Sequence, residues 1–393
     1  MNVSPPVSGT ELPAGLPSAA VVDLDAIAAN VRVLREHAPK AQVMAVVKAD
    51  AYGHGLLPAA RAALAGGATW LGTAQLSEAL ALRAAGISAP ALAWLTVPGD
   101  AYAEAIARHV DIGVSAGWAL TEIAAAARDL GMPARVHLKA DTGLNRNGCP
   151  PEDWPQLVED ALKLQAEGLI SVVGGFSHLV SGDTPQAPVN RQQIDAFVAA
   201  VDLATAAGVR FEVRHLANSP ATLTLPDTHF DLVRPGLAVY GLSPVPDRAS
   251  AADLGLRPAM TVLGRVVNVK KVAAGQGVSY GHTYTTSTDT ELAVVPLGYG
   301  DGVPRHASSA GPVQLAGRRF RVAGRVCMDQ VVVDLADGGI GRVTAGDVAV
   351  LFGGAPGEPT AQDWADAAGT ISYEIVTRLG GRVPRLYTGS AGR

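Results

Sequence analysis

The chain has 393 residues, of which 31 are basic and 36 acidic, for a net charge of −5 and no basic run long enough to grip a phosphate backbone. That balance excludes nucleic acid as the main partner. Apolar residues at 48% against 17% charged supply a core and exclude general disorder. Cys149 and Cys327 lie far apart, outside any CxxC spacing, so neither a disulfide framework nor a structural metal site is expected.

Residues 1–16 carry three prolines and little periodicity and read as a flexible tail. The first 31 residues hold no Lys or Arg, so a signal-peptide n-region is missing. No apolar run approaches the ~20 residues of a membrane span. A cytoplasmic protein with no membrane partner is the expectation.

Short β-favouring runs then recur at 19–24, 42–48, 69–74, 91–95, 111–115, 134–140, 169–177, 211–217 and 230–234. Ala- and Leu-rich stretches at helical spacing separate most of them, as over 119–130 and 156–167. Alternating strands and helices predict a parallel sheet. Without the first run, eight strands remain, the number that closes a (β/α)8 TIM-like barrel, with an open doubly wound sheet as the rival. From about 255 the pattern turns β-rich at 260–272, 291–297, 311–334 and 347–352. The expected organisation is thus an α/β barrel over 17–254 and a mostly-β domain over 255–388.

The run 42–48 is a buried strand ending in Lys48, followed by Ala49-Asp50-Ala51-Tyr52-Gly53-His54-Gly55. Barrels gather the C-terminal ends of their strands at the active-site mouth, so Lys48 would point into it. A surface lysine capping a strand is the plainer alternative. The tyrosine and two glycines beside it suit close approach to a ligand.

Residues 45–55 resemble the pyridoxal-phosphate lysine signature of the alanine racemase family. Other segments resemble further motifs of the same family: His137-Leu138-Lys139-Ala140-Asp141-Thr142-Gly143-Leu144-Asn145-Arg146, His215-Leu216-Ala217-Asn218-Ser219, Val233-Arg234-Pro235-Gly236, Val278-Ser279-Tyr280-Gly281, Gly298-Tyr299-Gly300-Asp301-Gly302 and Cys327-Met328-Asp329-Gln330. These segments follow in order over nearly the whole chain. The resemblance implies a barrel followed by a β domain, and a head-to-tail homodimer in which each β domain completes the partner's site.

It also implies the roles. Lys48 carries pyridoxal 5'-phosphate as a Schiff base and then acts as a base, a double role suited to a lysine whose pKa falls on burial. The cofactor delocalises the charge left when the α-proton of alanine departs. Tyr280 from the partner is the second base on the opposite face, helped by Arg234 or His178. Arg234 faces the ring nitrogen, with His215 orienting it. Tyr52, Ser219, Gly236, Leu237 and Tyr373 form the phosphate shell. Arg146 holds the substrate carboxylate, in many members oriented by a carbamate on the lysine at the Lys139 position. Met328 and Asp329 complete the pocket, and Tyr299, Arg305 and Tyr373 narrow its mouth.

The expected reaction is interconversion of L- and D-alanine by two bases, supplying D-alanine for peptidoglycan. Within the same chemistry the alternative is a broader or serine-preferring racemase. Outside it stand a pyridoxal-dependent decarboxylase, whose own cysteine motif is replaced here by Cys327-Met328-Asp329-Gln330, and a non-catalytic carrier, which would need no β domain. A metallohydrolase using a carbamylated Lys139 with His137 and Asp141 lacks a second histidine cluster.

Overall fold

The computed structural model describes residues 11–392, so residues 1–10 of the expected tail lie outside it. Residues 11–16 differ from that expectation. Leu12 is buried against Ala19, Val21, Leu263 and Val350, and the Arg265 guanidinium donates to the Leu12, Pro13 and Leu16 carbonyls. The apolar side chains of Leu12 and Leu16 hold this segment where its prolines alone suggested a loose end.

The first strand, β1 (Ser18–Asp23), does not join the barrel. It pairs antiparallel with β10 (Met260–Arg265) and parallel with the last strand of the chain, so residues 18–22 are all buried within the second domain's sheet. An expected barrel start at 17 is therefore corrected: Asp23 caps the helix Leu24–His37, accepting from Asp25 N and Ala26 N, and the barrel layers begin with that helix.

Eight parallel strands follow: β2 (Gln42–Val46), β3 (Trp70–Thr73), β4 (Ala91–Ala93), β5 (Asp111–Val114), β6 (Ala134–Lys139), β7 (Ile170–Phe176), β8 (Val213–His215) and β9 (Leu232–Val233). Each falls inside one of the runs read from the sequence. They pair in the order β8-β7-β6-β5-β4-β3-β2-β9, leaving one seam between β8 and β9. Asp231 N to Arg214 O at 3.0 Å and Arg234 N to Ala217 O at 2.9 Å bridge the seam, so the barrel is nearly closed. Small residues let the helices sit close: Gly117–Leu130 buries Ala119, Leu120, Ile123, Ala124 and Ala127 along one stripe.

The remainder is β-rich. Its strands are β11 (Asn268–Val272), β12 (Gly277–Val278), β13 (Tyr284–Thr285), β14 (Thr290–Val295), β15 (Pro312–Leu315), β16 (Arg318–Arg321), β17 (Val331–Asp334), β18 (Val348–Phe352) and β19 (Arg385–Thr388). The larger sheet runs β16-β15-β18-β10-β1-β19 and the smaller β11-β14-β17, with the hairpin β12–β13 apart. Two short helices, Ala361–Ala368 and Ser372–Thr377, interrupt the pattern and carry Tyr373 back to the barrel mouth. No helix among the described residues is long and apolar enough to cross a membrane.

Asn30 ties the two parts together. Its fully buried amide donates to the Val239 and Arg257 carbonyls, at 3.1 and 2.9 Å, and accepts from Arg257 N at 2.8 Å. Asn30→Ala should therefore strand three backbone groups and cost about 2–4 kcal/mol. A urea midpoint within error of the parent chain would show that water or relaxation replaces all three bonds.

Candidate active site

The site is a cavity of about 350 Å³ at the C-terminal ends of the barrel strands. Lys48, Tyr52, Lys139, Arg146, His178, Ser219, Arg234, Gly236, Leu237 and Tyr373 all line it, as the sequence suggested. Trp94, Phe176, Asn218 and Thr377 line it as well, and the sequence reading had assigned them no role. Four lining side chains are cations, and no carboxylate is among them. Such a cavity is built for an anionic ligand.

The backbone after Lys48 is unusual. Ala49, Asp50, Ala51 and Tyr52 all take left-handed φ values of 53–54°, a turn that costs L-residues about 1–2 kcal/mol each. Neighbouring groups hold it in place. Glu78 accepts from Ala49 N at 2.7 Å with one oxygen and from Ala74 N and Gln75 N with the other. Asp50 accepts from Leu56 N at 2.8 Å. Buried His54 places Nδ1 at 3.0 Å from both the Ala51 and the Tyr52 carbonyl, while burial pulls its pKa down to about 4. His54 is thus a neutral Nδ1–H donor.

The Lys48 ammonium lies 5.9 Å from the Trp94 ring centre. Gly72 on β3 makes room for that indole and Gly113 on β5 for the Trp94 Cα and Cβ, since a Cβ at either would come within 2.8 Å of Trp94. Burial, then the Arg146 charge, lower the Lys48 pKa; Glu78 opposes them, and Arg234 adds to the lowering. A lysine so placed loses its proton more readily than one in water.

Arg234 is buried at the base of the cavity. Its guanidinium donates to the Ser177 carbonyl at 2.7 Å and to His215 Nδ1 at 3.1 Å, with His178 Nδ1 at 3.4 Å. Burial lowers its pKa to about 9, which still leaves it charged at neutral pH. Burial, then the surrounding cations led by Arg234, hold His178 well below the usual imidazole range. His178 is therefore neutral.

Ser219 Oγ accepts from Gly236 N at 2.8 Å and from Ala238 N at 3.3 Å. With both lone pairs used, its proton is left to donate to a ligand oxygen. Gly236 has a steric role too, because a Cβ there would stand 2.2 Å from the Tyr52 hydroxyl. Tyr52 and Tyr373 lie with ring centres 6.1 Å apart, and burial, with the nearby Asp183 charge, pushes Tyr373 up to about 12. Both hydroxyls stay protonated donors at neutral pH. These donors beside an amine and a cationic cradle suit a phosphate-bearing aldehyde.

Arg146 sits on a loop that leaves β6 and returns through paired bonds, Asp141 N to Cys149 O and Cys149 N to Lys139 O. Asp141 is occupied in accepting from Gly143 N and Asn145 N. His137 points instead into the barrel, between Asp111 and His215. Of the residues weighed for a hydrolytic metal, His137 and Asp141 thus serve other bonds.

The remaining candidates stand apart from this cavity in the same chain. Tyr280, Tyr299 and Met328 are 68%, 41% and 52% exposed, and Asp329 and Arg305 are exposed too. Four of these belong to one loop cluster. Ser279 Oγ donates to the Arg325 carbonyl, Tyr299 N and Gly300 N bond the Cys327 and Met328 carbonyls, and Arg382 pairs with both Asp301 and Asp329. Arg305 begins the neighbouring turn Arg305–Ala307.

Lys139 gives a pH test. Burial, then Arg234 and Arg146, push its pKa down to about 8 from 10.5. The unfolded chain therefore binds more protons between these values, so stability rises with pH across that window. Lys139→Met should raise the urea midpoint of the cofactor-free chain at neutral pH, and the gain should vanish near pH 10.5. An equal difference at both pH values would mean that packing, not charge, sets it.

Family comparisons agree with this geometry. Residues 22–244 match the alanine racemase N-terminal domain and residues 259–387 the alanine racemase C-terminal domain. The alanine racemase of Frankia casuarinae is 58% identical over 378 residues, covering 95% of this chain and 98% of that one. That of Beutenbergia cavernae is 60% identical over 374 residues, at 95% and 98% coverage. The solved alanine racemase of Streptomyces coelicolor superposes with a TM-score of 0.94 at 56% identity, covering 96% of this chain and 99% of that one. With a strand-end lysine in a cationic cavity and both domains matched in order, the chain belongs to the alanine racemase family.

Proposed function

We propose that the chain interconverts L- and D-alanine with pyridoxal 5'-phosphate held in the barrel cavity, as a homodimer with shared sites. The observation that carries this reading is the amine of Lys48 set among cations and phosphate-type donors, with no carboxylate lining the cavity. Bound there, the cofactor supplies the electron sink that makes the substrate α-proton removable.

The Ser219 hydroxyl, the backbone around Gly236 and Leu237, and the Tyr52 and Tyr373 hydroxyls would take the phosphate. Arg234 would donate to the ring nitrogen, since a guanidinium offers donors and no acceptor. His178, neutral, would lie against the cofactor without adding charge. Lys48 would anchor the aldehyde through its amine and, once released, take or return the α-proton on its side. Arg146 would grip the substrate carboxylate. Lys139, with its lowered pKa, offers the neutral amine that a carbamate needs, and a carbamate there would hold Arg146 by charge.

A single base on one side cannot invert the centre, because the proton must return to the opposite face. Tyr280 is the proposed base for that face, supplied by a second copy of the chain along with Met328 and Asp329, while Tyr299, Arg305 and Tyr373 narrow the mouth. Its exposure in the single chain, beside two more exposed apolar side chains, supports a surface meant to be covered. A small side chain such as alanine's fits a cavity that the cofactor largely fills. A cytoplasmic enzyme feeding peptidoglycan synthesis is the accompanying expectation.

Racemisation is tested with L-alanine and the holoenzyme in heavy water. Circular dichroism should decay to zero as deuterium enters Cα. Deuterium entry with a retained signal would leave only one working base. Lys48→Ala and Tyr280→Phe should each cut turnover by about 10²–10⁴-fold, the usual worth of a positioned acid or base. Mixing the two inactive variants tests the shared site, because a mixed dimer rebuilds one intact cavity. Recovered activity supports the head-to-tail arrangement; none after subunit exchange removes it.

A further inference from the structure

A line of buried polar groups runs through the barrel interior beneath the cavity. Arg234 Nη1 lies 3.1 Å from His215 Nδ1, His215 Nε2 lies 2.9 Å from His137 Nδ1, and His137 Nε2 lies 3.1 Å from Asp111 Oδ2. Asp111 opens β5 at the far end of the barrel, where Arg135 donates to its other oxygen at 3.0 Å. His137 and His215 are fully buried, and Asp111 and Arg234 nearly so.

The proton positions follow from valence alone. A guanidinium cannot accept, so His215 Nδ1 must accept and its proton sits on Nε2. That proton points at His137, whose Nδ1 accepts and whose Nε2–H donates to the Asp111 carboxylate. The reverse order, or a doubly protonated His137, would set an N–H of His215 against an N–H of Arg234. Only one direction is consistent.

The backbone is shaped for this line. Val136 pairs with Val172 and His137 with Gly174, so Val173 is an extra residue, a bulge at the level of His137. Gly174 is required there, because a Cβ would lie 2.1 Å from His137 Nδ1. The Trp70 ring edge closes on His137, and Phe176 stacks on His215 at 4.9 Å with planes 6° apart. Burial raises the Asp111 pKa, but the interactions with His137 and with the Arg135 guanidinium together hold it below the usual carboxylate value.

We propose that Asp111 and His137 are positioning residues for racemisation, fixing the His215 tautomer so that Arg234 stays a charged donor at the base of the cavity. Neither touches the cavity; both act through His215. This rests on the racemase reading above, and the test separates the two.

Nitrogen NMR of the histidine-labelled holoenzyme reads the tautomers without reference to turnover. Both His137 and His215 should carry their ring proton on Nε2 in the folded holoenzyme. An Nδ1–H on either ring overturns the chain. His137→Gln can still accept from His215 and donate to Asp111, so it should keep the His215 tautomer and most of kcat. His137→Phe cannot, and should lower kcat at least ~10-fold with KM for alanine little changed, as when a catalytic group loses its orienting partner. Wild-type kcat in a folded His137→Phe enzyme overturns the positioning role, as does equal damage from both variants. A wild-type holoenzyme that shows both tautomers but does not racemise alanine overturns the reaction assignment instead.

Discussion

The arrangement depends on burying one guanidinium. An unpaired ion inside a protein costs several kcal/mol even after relaxation. Arg234 meets that cost with the Ser177 and Leu216 carbonyls and a histidine nitrogen, and Phe176 lies 5.7 Å from its carbon. With its charge fixed at the base of the cavity, neighbouring groups must adjust. His178 and His215 lose affinity for protons, and Lys48 and Lys139 become weaker holders of theirs. Burial first, and then the charge of Arg234 among the cavity's cations, thus prepares two amines and two neutral imidazoles.

The strained turn at residues 49–52 solves a related problem. Lys48 stands where the strand ends, and its chain must turn at once so that Tyr52 can face the same cavity. Four consecutive left-handed residues are an expensive way to do this, since all four carry a Cβ. Glu78 and His54 offset the cost by bonding backbone groups of the turn, and Asp50 ties the turn to Leu56 N. Glu78 also raises the Lys48 pKa, so the same carboxylate braces the turn and moderates the lysine.

Much of this was legible in the sequence because it is periodic or local. All eight barrel strands were visible, since buried parallel strands are short apolar runs between amphipathic helices. The place of β1 was not. Its run looks like any barrel strand, and only pairing with β10 and β19, more than 200 residues away, assigns it to the other domain. Trp94 and Phe176 went unassigned because aromatic residues at strand ends read as core. The glycines at 72 and 113 were the available signal, since glycine inside a strand marks close approach. Asp111 was invisible for a different reason: a carboxylate opening a strand reads as a solvated end, and only barrel closure sets it beneath two histidines.

The chain's own cavity is chemically one-sided. Its lysine amine, cations and phosphate-type donors all come from the barrel mouth and the Tyr373 helix, whereas the exposed tyrosine loop belongs to the β domain. A reaction that joins mirror-image molecules has an equilibrium constant of one, so neither face of the carbanion can be favoured by the overall free energy. Each face still needs its own proton donor, and the two must differ because a folded L-polypeptide cannot present mirror-image surroundings. In the proposed reaction a buried, cation-flanked lysine and a loop tyrosine would meet that need from opposite directions. The proposed head-to-tail pairing of two identical chains would bring them together, one interface then completing two sites.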